Sequence, residues 1–553
     1  MSARLRISLA AADRATYEAL LDQAAAEHWP ERLFDRDTTL WSDDADVRAD
    51  ITDRLGWLDA PDHFTLESAA LEGFGDGVRE AGFTTAVVMG MGGSSLAPDV
   101  LHRTFGTTEG YLALRILDST DPAAVGAIVD DLDPLATLWI VASKSGTTTE
   151  PLAFMAEAWS RVAAELEARG SDQGPGEFFA VITDPARSLE AIPHHDDLRE
   201  VFLNPPDIGG RYSALTYVGL APASLIGLDL DALLASGSAM MAMCREPDPR
   251  ENPGAQLGLA LGGLASAGRD KLTFLTDPAI DSFGAWAEQL VAESTGKHGV
   301  GIVPVDLEPL RMATAYADDR IFVVHALADS QLDEIGALAD QLERAGHPVF
   351  RIELDDPIDL AGEMVRWEVA TAIAGVVLKI NVFDQPNVEE AKELTRRVLA
   401  DEAGANGAAN GAANGAATED DGGIHIATHD ADSLTELLRP TLRAAKAPGY
   451  VAIQAFIAPS AGVDAAIANL RVALAATGCA TTAGYGPRFL HSTGQLHKGG
   501  PATGVFLQLT ADHTADRPIP GWPYTFGRLI DAQAVERVII RYPLLRSSKT
   551  TSR

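Results

Sequence analysis

The sequence predicts an α/β fold: two doubly wound parallel-sheet domains followed by a smaller C-terminal α/β segment. Three observations carry that reading. Between about residues 65 and 230, strand-like runs ("TTAVVMGMGG", "ALRILDSTD", "LWIVASKSG", "EFFAVITD") alternate with helix-like segments. Strands apolar on both faces belong to a parallel sheet covered by helices on both sides. The pattern recurs from about 255 to 400 with "KLTFLTD", "RIFVVHAL" and "PVFRIEL", and 553 residues exceed what one hydrophobic core ordinarily serves.

In chain order, residues 1–60 read as a polar helical segment, 61–245 as the first sheet domain and 246–400 as the second. Two similar units in tandem suggest an internal duplication, although no clear sequence repeat links them. Residues 401–422, "DEAGANGAANGAANGAATEDDG", are low in complexity and read as a flexible linker or surface loop. Residues 423–553 form the C-terminal segment, with strands "YVAIQAFIA" and "GVFLQLTA".

Apolar content of 46 % and charged content of 22 % are those of a globular protein. The net charge of −36 disfavours nucleic acid and anionic membranes as partners. An anionic substrate would therefore need a local basic pocket, which gives each pocket Lys or Arg more meaning. Two cysteines, Cys244 and Cys479, supply neither a disulfide framework nor a four-thiolate zinc site, and they fit a reducing compartment. The start "MSARLRISLAAADRATYEALL" lacks the long apolar stretch of a signal peptide. The longest apolar run, "VATAIAGVVL", is far short of the ~20 residues that span a bilayer. The expected location is the cytoplasm.

The stretch "TLWIVASKSGTTTEPLAFMAEAW" (137–159) places Ser143, Lys144, Ser145, Gly146, Thr147, Thr148 and Thr149 between a strand and a helix. Thr147 and Glu150 have capping-box spacing, and Pro151, lacking an N–H, sets the helix start near Thr147 or Thr148. One threonine suffices for that job. The remaining hydroxyls, a lysine and the exposed N–H groups of a helix start make a phosphate site; the alternative is a merely well-capped helix. No Walker A loop is present. In "AVVMGMGGSSLAPDV", Gly90, Gly92 and Gly93 also lie between strand and helix, but Ser95 occupies the third Rossmann glycine position. A dinucleotide site is thus weakly supported, while Ser94 and Ser95 offer hydroxyls at a turn that lets a ligand approach closely.

At this point the segments "GMGGSSLAP" and "SKSGTTTE" resemble the sugar-isomerase (SIS) fold of the glucose-6-phosphate isomerase family. Three more follow in that family's order: "GGRYSALTYVGL" (209–220), "QLVAESTGK" (289–297) and "NVFDQPNVEEAK" (381–392). The variants look closest to the isomerase half of bacterial transaldolase/phosphoglucose-isomerase fusions, although no transaldolase segment is visible. The resemblance implies two SIS-type domains. It also implies catalytic residues Glu293, Arg211, Lys392 and a histidine, with substrate held by Gly93, Ser94, Ser143, Lys144, Ser145, Thr148 and Gln385.

The chemistry of the residues agrees. Interconverting an aldose and a ketose phosphate needs a carboxylate base, a cation beside the enediolate, a ring-opening group and a phosphate anchor that orients the reacting carbons. It calls for no metal and no cofactor. Glu293 sits near the C-terminal end of a helix stopping before Gly296, where the dipole disfavours an ionised carboxylate, and Trp286 and Leu290 share its face. Arg211 follows two glycines that let its backbone come close. Gln385 and Lys392, seven residues apart, would share a helix face.

The family's histidine loop is missing from its usual interval, which holds His298, His325 and His347, the second inside a buried-looking strand. "GYGPRFLHSTGQLHKGGP" (484–501) resembles it loosely and puts His491 forward, with His497 second. In the family this histidine comes from the neighbouring subunit, so the resemblance implies a homodimer. The expected function is interconversion of glucose 6-phosphate and fructose 6-phosphate in glycolysis and gluconeogenesis. The alternatives are an isomerase also accepting mannose 6-phosphate and a non-catalytic sugar-phosphate sensor. A sensor has no reason to keep Glu293, Arg211 and Lys392 together.

Overall fold

The computed structural model describes residues 4–387 and 445–535, apart from 329, 331, 332 and 514, together with Leu399. Lys392 and the linker read at 401–422 lie outside the described residues. The strands are β1 (Arg4–Ser8), β2 (Thr85–Gly90), β3 (Ala113–Leu117), β4 (Thr137–Ala142), β5 (Phe179–Thr183), β6 (Glu200–Leu203), β7 (Lys271–Thr276), β8 (Val303–Val305), β9 (Arg320–Leu327), β10 (Val349–Leu354), β11 (Tyr450–Phe456), β12 (Ala480–Tyr485) and β13 (Gly504–Thr510).

The first sheet runs β3-β2-β4-β5-β6, parallel throughout. Every residue of β4 and β5 is buried, as strands covered by helices on both faces must be. The second sheet runs β1-β10-β9-β7-β8. Counted within its own unit, each sheet begins 2-1-3-4, so the two units are wound alike. The winding reverses between β2 and β4 in the first and between β7 and β9 in the second. Such reversals open a crevice outside the carboxyl ends of the strands, where ligands bind in doubly wound sheets.

One element departs from the expectation. Residues 4–8 are not helical but pair antiparallel with β10, which makes the second sheet mixed. "RLRIS" alternates charged and apolar residues, a period of two, and its arginines are tolerated because it is an edge strand. Helices follow over Ala11–Ala26, Trp29–Phe34 and Ala45–Thr52, as expected of this segment.

The C-terminal region holds a third, parallel sheet, β12-β11-β13. It packs on the second unit through Tyr450, Ala452, Ala480 and Leu496, which meet Ala292 of the helix Phe283–Thr295 and Val303 and Val305 of β8. Both larger sheets share one hydrophobic core, with Trp57, Trp139, Trp286 and Trp367 fully buried.

Candidate active site

The glycine turn after β2 and the hydroxyl turn after β4 lie side by side, because Gly90 pairs with Ala142 at the ends of adjacent strands. Gly92 has φ +56°, and a Cβ on Gly93 would stand 2.0 Å from the carbonyl oxygen of Gly210. Only glycine lets this turn close onto the segment that carries Arg211. In the second turn the helix begins at Thr149, with Thr148 as its N-cap residue in extended conformation. The expected capping box does not form: no side chain of Thr148 caps the helix, and Glu150 is engaged elsewhere. The hydroxyls bond one another instead, Ser143 donating to Thr148 at 3.0 Å and Ser145 pairing with Thr147 at 2.9 Å. Lys144 turns aside, with Nζ 2.5 Å from Asp184 Oδ2 and 2.7 Å from the Pro206 carbonyl. Its charge is thereby matched by a carboxylate rather than aimed into the turn.

Arg211 is 3 % exposed and its guanidinium is saturated. Nε donates to Ser294 Oγ at 2.8 Å and Nη2 to the carbonyls of Val382 (2.5 Å) and Asp384 (3.0 Å). Nη1 meets Gln385 Oε1 at 3.1 Å and Glu293 Oε1 at 3.0 Å. Glu293 is 8 % exposed in the last turn of the helix Phe283–Thr295, which ends at Gly296. Its other oxygen accepts from Gln289 Nε2 at 3.0 Å, one helical turn earlier. That same Nε2 donates to the His491 carbonyl at 2.8 Å, which pins the amide and leaves the buried Gln289 Oε1 without a hydrogen-bond partner.

Lys297, four residues after Glu293, is buried and donates to the Asn381 carbonyl and to both the carbonyl and Oδ1 of Asp384 at 2.5–2.7 Å. Burial, with Arg211 nearby, pushes its ammonium down to about 7, against the opposing pull of Asp384. Gln495 braces the same corner, donating to the Gly296 carbonyl at 3.0 Å and to Asn387 Oδ1 at 2.8 Å.

His491 reaches this site within the same chain. Its carbonyl would lie 2.6 Å from a Cβ on Gly92, and its Nε2 is 3.0 Å from Glu150 Oε1. Arg488 anchors the loop, holding Asp99 at 2.7 Å and Asp118 at 3.1 Å. His491 of the described chain thus lies beside Glu150, Gln289 and the glycine turn of that same chain. His497 is placed otherwise, its ring among Tyr450, Phe489 and Phe506 and its Nδ1 3.3 Å from Gln454. His298 is exposed, while His325 is fully buried beside Glu363, inside the strand β9.

Glu293, Arg211, Gln385, His491 and the two turns thus converge, with Lys392 outside the described residues. Gln289, Ser294, Lys297 and Asp384 carry no sequence reading as site residues, and Glu150 carries only a capping one. Gln289 alone had a local signal, since i and i+4 share a helix face.

Known proteins bear on this geometry. Residues 23–306 match the family model described as phosphoglucose isomerase, a span that includes Arg211 and Glu293 and stops before Gln385 and His491. A glucose-6-phosphate isomerase of Rubrobacter xylanophilus is 32 % identical over 365 residues, 58 % of this chain and 83 % of that one. That of Symbiobacterium thermophilum is 30 % identical over 396 residues, covering 61 % and 85 %. In structure, a glucose-6-phosphate isomerase from Chlamydia trachomatis matches with a TM-score of 0.53 at 21 % identity, covering 68 % of this chain and 78 % of that chain. A hypothetical protein from Thermus thermophilus matches at 0.59 and 24 %, covering 72 % and 100 %. At these identities the structural likeness shows the fold.

Proposed function

This chain belongs to the phosphoglucose isomerase family, and from that premise we propose how it interconverts D-glucose 6-phosphate and D-fructose 6-phosphate. Glu293 takes the proton from the carbon next to the carbonyl and returns it to the neighbouring carbon, through a cis-enediol. The observation that carries this reading is the buried carboxylate of Glu293, held by Arg211 at one oxygen and Gln289 at the other. A base so fixed meets a bound sugar without reorganisation. Arg211 lies where the enediolate charge develops and stabilises it.

Ring opening falls to His491. Its Nε2 is engaged by Glu150, so Nδ1 is the nitrogen that faces the sugar: it gives a proton to the ring oxygen as the ring C–O bond breaks and takes one back from the anomeric hydroxyl as the carbonyl forms. Histidine is the side chain whose ordinary range suits proton exchange near neutral pH. The phosphate rests on the hydroxyls of Ser94, Ser143, Ser145 and Thr148 and on the N–H groups at the start of the helix Thr149–Arg169. Lys144 steadies that turn through Asp184. Gln385 contacts the substrate near Arg211, and Lys392 acts by the ring oxygen or the C1 hydroxyl, as the family resemblance has it.

The same reading extends to a homodimer in the cytoplasm, a small-molecule substrate with no nucleic acid or membrane partner, and kinship with the isomerase half of the transaldolase fusions. No helix among the described residues is long and apolar enough to cross a membrane. In this reading His491 acts in the site of its own chain, beside Glu150 and Gln289. The deciding experiment is turnover of fructose 6-phosphate by purified protein with a chelator present, coupled to oxidation of the glucose 6-phosphate formed. Absence of turnover would overturn the reading. A parallel assay with mannose 6-phosphate decides whether the site accepts both epimers.

A further inference from the structure

The helix Phe526–Val535 enters the site from the other end of the chain. Its Gln533 is 3 % exposed and lies between two buried side chains, Glu150 and Thr120. Gln533 Nε2 is 2.6 Å from Glu150 Oε1, the same oxygen that meets His491 Nε2 at 3.0 Å. On its other side, Gln533 Oε1 is 2.7 Å from Thr120 Oγ1. The orientation of this amide follows from the chemistry of its neighbours. Turned over, it would press its oxygen against a carboxylate oxygen, two acceptors with no proton between them. The NH2 group therefore faces Glu150, and the hydroxyl of Thr120, which can rotate, donates to Oε1.

We propose that Gln533 is a positioning residue for His491: Thr120 orients its amide, and the amide holds Glu150 as an ionised acceptor for the Nε2–H of the imidazole. Gln533 touches no substrate. It acts through Glu150, and the inference rests on the reading of His491 as the ring-opening group. It explains why Glu150, which has capping-box spacing, leaves the helix start uncapped: its carboxylate is committed to the histidine and the glutamine. It also gives the C-terminal helix, 383 residues from Glu150 in sequence, a part in the reaction. With Nε2–H directed at Glu150, the tautomer and ring plane are set, and Nδ1 is presented to the sugar. The arrangement is that of a base oriented by a third group.

Two readouts separate this role from scaffolding. The first is interconversion of the fructose 6-phosphate anomers by NMR exchange, which requires ring opening and not Glu293. The second is affinity for a linear five-carbon aldonate 5-phosphate, whose carboxylate imitates the enediolate and which needs no ring opening. Gln533→Leu should slow anomer interconversion about tenfold, the loss of one hydrogen bond to a charged group. Thr120→Val should slow it roughly threefold, since the amide survives but loses its orienting donor. Both should bind the linear inhibitor within about twofold of wild type. His491→Ala is the control for the underlying reading. If His491→Ala slows the interconversion while Gln533→Leu and Thr120→Val leave it at the wild-type rate, the inference fails and the reading of His491 stands. If His491→Ala is also at the wild-type rate, both fail. If inhibitor affinity and interconversion fall together in Gln533→Leu and Thr120→Val, Gln533 is scaffolding and the inference is overturned.

Discussion

Arg211 Nη1 stands 3.0 Å from Glu293 Oε1, in a pocket where the two side chains are 2 % and 11 % exposed. Replacing Glu293 by Gln preserves the volume and removes the base. Turnover should fall at least ~10²-fold, as expected when a general base is lost, and solvent-hydrogen exchange into C2 of the substrate should fall with it. Exchange at the wild-type rate in Glu293→Gln would place the base elsewhere.

Arg211→Lys tests the cation. A lysine keeps the charge but cannot span Ser294, Glu293, Gln385 and two carbonyls as the planar guanidinium does. Removing one charge-stabilising donor commonly costs ~10²–10³ in turnover, and that loss is expected here. A drop in melting temperature should accompany it, because the carbonyls of Val382 and Asp384 lose donors in a buried site. Unchanged steady-state kinetics and melting would show that the guanidinium geometry is immaterial.

The hydroxyl turn makes a separate claim. Thr148→Ala removes a hydroxyl that accepts from Ser143 and caps nothing, so the helix should keep its stability. Affinity for inorganic phosphate and for substrate should weaken by about 1.5–3 kcal/mol, the range for a hydrogen bond to a charged group. Titration calorimetry with phosphate reads this directly. Normal phosphate affinity with a lowered melting temperature would mean that the turn is only structural.

How far the sequence reveals this molecule differs between strands and site. β2, β4 and β5 are legible because strands buried on both faces are apolar almost without interruption. β1, β6, β8 and β12 are not: β8 has three residues, β12 is rich in Ala, Thr and Gly, and β1 and β6 are edge strands that admit charge. Within the site, Glu293 and Arg211 are legible from motifs that lie in one element. Glu150 is misread because its spacing from Thr147 satisfies a capping box, while its real partner, His491, is 341 residues away. Periodicity reports neighbours on one helix or strand and carries no information on such pairs. Lys144 illustrates the same limit, since nothing local announces Asp184 as its counter-ion.

Lys297 supports a prediction about pH. Its native ammonium is pushed down to about 7 by burial and Arg211, whereas in the unfolded chain it stays protonated to about 10.4. Between those values the unfolded state binds the extra proton, so stability contributed by this group rises with pH, by up to about 1.4 kcal/mol per pH unit. Lys297→Met lacks that dependence. Urea unfolding of both proteins at pH 7 and pH 9 should therefore show wild type gaining on the variant at the higher pH. A constant difference between them, or one that shrinks, would mean that the ammonium stays fully charged in the native state.

The last prediction concerns which chain supplies the histidine. Gln289 Nε2 donates both to Glu293 Oε2 at 3.0 Å and to the His491 carbonyl at 2.8 Å. Base and histidine loop are thus fastened through one amide, and Gly92 closes onto the same backbone. If the protein dimerises, each site should still draw both residues from one chain. Co-expressing differently tagged Glu293→Gln and His491→Ala and isolating the mixed dimer tests this. In the mixed dimer one chain lacks the base and the other lacks the histidine, so no site is complete and activity should not exceed the mean of the two parent variants. A histidine crossing the interface would instead create one intact site per mixed dimer, with about half of wild-type turnover. Recovery of that size would show that the loop is exchanged between subunits. The Gln289 bridge argues against it, because exchange would have to break its hydrogen bond to the His491 carbonyl and rebuild it with the loop of another chain.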